Sequence, residues 1–157
     1  MKKNITLEQA MPLMEELLSA GKEVSFVPSG TSMIPLILGG RDQITLKRFS
    51  SPPAKYDVPL YRRSDGSFVL HRIIGTCIDG YIMCGDHQTA KEYPVKPEDI
   101  IAVMVSVDRN GRHIDCNSFG YKAYSRIWSF LRPVRPVLFK IASVIPGMKK
   151  RILGTKE

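Results

Sequence analysis

The feature that most constrains this chain is a succession of short alternating segments, each cut off by a strong turn signal. Glu23-Val24-Ser25-Phe26-Val27 alternates in polarity and stops at Pro28-Ser29-Gly30. Gln43-Ile44-Thr45-Leu46-Lys47 repeats the pattern, and the paired prolines and serines from Ser51 then require a loop. Two further runs, residues 58–62 and 67–74, flank Ser64-Asp65-Gly66, which is a hairpin signal. Pro59 makes the first of them an edge or bulged strand, because proline lacks a ladder donor. Residues 80–84 and 100–108 are also strand-like, and Asn110-Gly111 turns the chain back into His113-Ile114-Asp115. Strands this short and this closely spaced predict a mainly β fold, a coiled antiparallel sheet or partial barrel.

Helices are predicted at the two ends. Thr6 can cap a first helix whose Leu7, Met11, Met14, Leu17 and Leu18 share one face, with Pro12 as a blemish and Gly21 as the stop. From Phe119 onward, Ile127, Leu131, Val134, Leu138, Ile141 and Ile145 form a helical stripe that Pro133 and Pro136 must break or kink. The chain thus divides into an N-terminal helix, 1–22, a β domain, 23–118, and a helical tail, 119–157.

Charge follows the same division. Residues 1–119 carry 14 Lys plus Arg against 14 Asp plus Glu, and residues 120–157 carry 9 against 1. The tail therefore holds the whole formal net charge of +8. It reads either as a helix lying on an anionic membrane surface, with Trp128 and Phe130 in the interface, or as a helix packed on the body with solvated cations. No nucleic-acid-binding module surrounds the charge, so nucleic acid is not the expected partner. Three scattered cysteines and three histidines, with no CxxC pair, suit a reducing compartment and predict no structural metal and no cofactor. The MKKN start is followed by Glu8, Glu15 and Glu16, so no secretory apolar segment is expected there. No apolar run reaches the roughly 18 residues of a membrane span, and a cytoplasmic location is expected.

Chemistry concentrates in three segments. PSGTSMIP, residues 28–35, offers Ser32 at a sharp turn that Gly30 permits, with Ser29, Gly30, Thr31 and Met33 around it to hold an oxyanion or wall a substrate pocket. VLHRIIG places His71 in a strand on the face of Val69 and Ile73, where partial desolvation keeps the imidazole neutral and basic. CGDHQTAKEY supplies two carboxylates, Asp86 and Glu92, and either can orient an imidazole. Asp86 is favoured, since it follows a strand end and a glycine, whereas Glu92 sits in a lysine-flanked loop.

These segments, in this order, resemble the signal peptidase I clan, which also contains the self-cleaving repressor peptidases. The resemblance rests on Ser32-Met33-Ile34-Pro35, His71-Arg72 and Gly85-Asp86, and spans about residues 24–107. It implies a serine endopeptidase with Ser32 as nucleophile and His71 as base, as in the histidine-type members. Asp86 or Glu92 completes the triad, and the Ser32 amide is the main oxyanion donor. It implies as substrate a leader or signal-like peptide with small side chains near the cut. Members of this clan carry an N-terminal membrane span or a DNA-binding domain. With neither expected here, the chain reads as a stand-alone maturation protease, cytoplasmic or peripheral on the inner membrane face. The alternatives are a catalytically silent peptide-binding module of the same fold, and a membrane-surface adaptor acting through the tail.

Overall fold

The computed structural model describes residues 6–144; the MKKN start and Ile145 of the tail stripe lie outside the described residues. Helix α1 spans Leu7–Ser19 and opens on a reciprocal cap, in which Thr6 Oγ1 accepts from Gln9 N–H and Gln9 Oε1 accepts from Thr6 N–H. Met11, Met14 and Leu18 form its buried face, Pro12 is accommodated inside the helix, and Gly21 at φ +76° turns the chain out of it.

Two antiparallel sheets follow. The first contains β1 (Val24–Phe26), β2 (Gln43–Lys47), β3 (Pro59–Arg62), β4 (Phe68–Leu70), β8 (Ile100–Arg109) and β9 (Arg112–Asp115), in the order β1-β2-β8-β3-β4. Strand β8 is its spine. Residues 103–108 pair with β2 on one edge, while β3 and β9 share the other, β3 along residues 100–103 and β9 along residues 106–109. The second sheet orders β5 (Arg72–Cys77), β6 (Gly80–Cys84) and β7 (Glu92–Val95). The fold is mainly β as the patterning predicts, but neither sheet closes on itself, so no barrel is formed among the described residues.

Two expectations need correction and a third is narrowed. The single strand expected over 67–74 is divided at His71: β4 belongs to the first sheet and β5 to the second. Alternation along one strand therefore does not describe the surroundings of His71. Of the two readings of Pro59, the edge is excluded, because β3 pairs with both β4 and β8, whereas the register shift between Leu60 and Tyr61 agrees with the bulged strand; proline is tolerated there as the first residue of the strand. Glu92, expected in a loop, opens β7 (Glu92–Val95) and lies opposite Met83.

The apolar core has two parts. One joins α1 to the first sheet through Met11, Met14, Leu18, Ile44, Leu46, Leu60 and Met104. The other, built on Tyr61, Ile73, Met83 and Ile100, fills the space between the sheets. Helix α2 (Phe119–Phe130), a short 3-10 turn (Arg132–Val134) and α3 (Arg135–Val144) complete the described residues; the helix breaks at Pro133 as expected, while Pro136 sits in the first turn of α3. Helix α2 is no detached tail, for Tyr121 joins the main core cluster and Ser125 is buried. The apolar stripe, for which packing on the body and facing outward were both open, is exposed at Ile127, Val134, Leu138 and Ile141.

Candidate active site

Ser32 follows β1 at the start of a turn. Gly30, at φ +91°, takes the left-handed backbone that a side chain would resist, and Ile34 N–H closes on Thr31 O at 3.2 Å. The chain beyond is locked into the interior. Met33, Ile34, Leu36, Ile37 and Leu38 are all buried, and the fully buried Asp42 carboxylate accepts from Leu38 N–H at 2.8 Å. Arg41 and Arg109 neutralise Asp42, and Arg109 also donates to Pro35 O. A second loop closes over the turn from outside. His87 N–H donates to Ser32 O at 2.8 Å, and Gly85 packs so near that a Cβ there would lie 2.7 Å from the same oxygen. The Gly85-Asp86 box thus buttresses the backbone of Ser32. The Ser32 hydroxyl and the N–H groups of Ser32 and Met33 make no hydrogen bond with other described residues.

A cleft of about 790 Å³ runs past this turn. Ser32 and His71 both line it, together with Ser29, Gly30, Met33, Arg63, Val69 and Gln88. Helix α1 contributes Leu7, Ala10 and Met14 to another wall. Of the residues expected to surround the oxyanion, Thr31 does not line the cleft. It is exposed, and its carbonyl is used in the turn.

His71 is only 2% exposed and is held from both sheets. Glu92 Oε1, from β7, lies 3.2 Å from its Nδ1, and the Tyr61 hydroxyl, from β3, lies 3.2 Å from the same nitrogen. Tyr61 donates to Glu92 Oε2 at 2.9 Å, so its oxygen is left to accept from Nδ1–H. Arg63 grips both Glu92 oxygens, with Nε 2.8 Å from Oε2 and Nη2 on Oε1. Two acceptors around Nδ1 put the ring proton there and leave Nε2 as the basic atom. Burial lowers the His71 pKa below its ordinary value, against the opposing pull of the Glu92 charge. The hydrogen bonds from Arg63 keep the Glu92 carboxyl below the usual range, so it stays ionised. Burial pushes the Tyr61 hydroxyl up, with Glu92 adding to the effect, and it remains a donor.

The choice between the two carboxylates is therefore reversed. Asp86 does not orient His71; it faces Arg72, the next residue along the chain. Asp86 Oδ1 accepts from Arg72 Nε at 2.9 Å and Oδ2 from Nη2 at 2.7 Å, a bidentate pair with both side chains buried. Arg72 Nη1 reaches on to Tyr56 O and to Ser125 Oγ of α2, each within 3.0 Å. Trp128 Nε1 and Arg135 Nη1 close on Asp86 O at 3.0 and 3.1 Å, and Arg135 stacks over the Trp128 ring. The two C-terminal helices are thus bolted to the loop that supports Ser32. Tyr61 and Arg63, which hold the Glu92 carboxylate, were not singled out by the sequence reading. Tyr61 lies in β3 and Arg63 just beyond its end, two residues on, where both reach Glu92.

An ionised acid, a neutral imidazole and an unengaged hydroxyl beside one cleft can perform nucleophilic acyl transfer. No family model, no curated protein and no solved structure matches this chain.

Proposed function

We propose that this chain is a serine endopeptidase of the signal-peptidase type, with Ser32 as nucleophile, His71 as general base and acid, and Glu92 as the acid that orients His71. The observation that carries the proposal is the His71 imidazole, anchored through Nδ1 by Glu92 and Tyr61 and lining the same cleft as Ser32. In this reading Ser32 Oγ attacks the scissile carbonyl as His71 Nε2 takes its proton. The free N–H groups of Ser32 and Met33 meet the oxyanion, and His71 then protonates the leaving amine. Water, deprotonated by His71, hydrolyses the acyl-enzyme. Glu92 stays ionised throughout and stabilises the imidazolium, while Arg63 and Tyr61 keep the carboxylate aimed. The two sheets correspond in this reading to the coiled, partly closed β fold of that clan.

The substrate belonging to this proposal is an extended leader or signal-like peptide with small residues near the cut, trimmed in the cytoplasm by a maturation protease. The direct test is a serine-reactive fluorophosphonate, followed by mapping of the modified residue. Labelling at Ser32 that disappears in Ser32→Ala and falls sharply in His71→Ala is expected. A peptide-binding module without chemistry would leave Ser32 unlabelled, and that result would sink the proposal.

A further inference from the structure

Helices α2 and α3 each have one side committed to the body. On α2 it carries Tyr121, Tyr124, Ser125 and Trp128; on α3 it carries Arg135 and Phe139, whose ring lies 4.0 Å from that of His87. The opposite side is apolar and uncovered. Phe130 is 84% exposed, Ile127 60%, Val137 59% and Ile141 52%, with Val134 and Leu138 between them also exposed. At 100° per residue, Ile127 and Phe130 fall on one flank of α2, and Val137, Leu138 and Ile141 on one flank of α3. The sequence reading left open whether the stripe packs on the body or faces outward. Among the described residues it faces outward.

Charge then selects the occupant. From Cys116 to Lys156 the chain contains no Asp or Glu, and Lys122 and Arg126 are exposed on α2, the Arg126 guanidinium also lying 5.8 Å from the centre of the Tyr56 ring. A second copy of the chain would oppose cations to cations across a two-fold interface, where like charges repel. A partner that is apolar inside and negatively charged at its surface satisfies both halves of the pattern. We infer that the outward face of α2 and α3 is a docking surface for an anionic lipid bilayer, its apolar side chains entering the interface and its cations meeting lipid headgroups. The inference is independent of the peptidase chemistry.

The experiment is co-sedimentation of the full chain with vesicles of phosphatidylcholine alone and of equal parts phosphatidylcholine and phosphatidylglycerol. Selective binding to the anionic vesicles is expected. It should weaken as salt is raised to about 1 M, where screening acts within about 3 Å. Each cation near such a surface changes partitioning about fivefold. The variant Lys122→Glu/Arg126→Glu, which reverses two exposed charges, should therefore lose at least tenfold. Phe130→Ser/Ile141→Ser should also bind more weakly with an unchanged melting temperature, since both side chains are exposed. Equal binding to the two vesicle types, or no binding, would overturn the inference. So would a dimer in sedimentation velocity that Phe130→Ser/Ile141→Ser dissolves, since a second copy would then be the occupant. The salt titration of the unmodified chain keeps the test decisive should either variant fold poorly.

Discussion

Replacing Asp86 by alanine should damage the fold far more than the chemistry. Arg72 is fully buried, and two of its hydrogen bonds, at 2.9 and 2.7 Å, end on the Asp86 carboxylate. In Asp86→Ala the guanidinium keeps Tyr56 O and Ser125 Oγ as acceptors but has no counter-charge. Removing one partner of a buried ion pair typically costs about 3–5 kcal/mol, because the other charge stays desolvated and unpaired. Against a total stability of about 5–15 kcal/mol, that is a large fraction. For a domain of this size each kcal/mol moves the melting temperature by about 2–4 °C, so a fall of roughly 6–20 °C is expected. Differential scanning calorimetry with urea titration at pH 7.5 measures it. The double variant Asp86→Ala/Arg72→Met, which removes both charges, should recover much of the loss. A melting temperature within about 2 °C of the parent, together with loss of fluorophosphonate labelling at Ser32, would show that Asp86 acts in the chemistry and would refute the assignment to Arg72.

Two further outcomes concern the acid and the base. Glu92→Gln should lower kcat/KM by roughly two to four orders of magnitude, through loss of the charge that fixes the His71 tautomer. Its urea midpoint should move much less than that of Asp86→Ala, since Glu92 is partly exposed. In the parent protein, the rate of Ser32 acylation should rise with pH and level off through an apparent pKa below 6.5, because burial favours the neutral, basic imidazole. Acylation at an unchanged rate in His71→Ala, with chemistry rate-limiting, would remove His71 as the base.

Much of the β framework is legible in the sequence because its strands alternate and its turns use residues of fixed backbone preference. Strand β2 falls on residues 43–47 and β6 on residues 80–84, as the pattern predicts. At Asn110-Gly111, both residues have positive φ, as the turn between β8 and β9 requires. What escaped is long-range pairing. The run from Ser67 to Ile74 has one continuous pattern, and nothing within it reveals that its halves join different sheets. Strand β7 is diluted by Glu92 and Pro94, so its propensity is weak although β6 pairs with it. Asp86 drew attention by its place after a strand and a glycine. The competing claim of Arg72, a cation that cannot be buried unpaired, depends on burial that no local pattern states. On α2 the stripe of aliphatic residues could not decide between the two readings, because the inward side caps an ion pair. Hydroxyl and indole groups do that work, and apolar periodicity is blind to them.

The division of one run between two sheets at His71 also sets a temporal order. Synthesis proceeds from the N-terminus, so Ser32, Tyr61, Arg63 and His71 emerge from the ribosome before Glu92 does. The Arg72–Asp86 pair in turn waits for Ser125, and the loop that buttresses Ser32 waits for Trp128 and Arg135. A nascent chain presents Ser32 and His71 before it presents the groups that hold them. In the proposed peptidase the catalytic arrangement would be complete only after α2 and α3 have emerged, so a shorter nascent chain would be poorly equipped to cut itself or its neighbours on the same message.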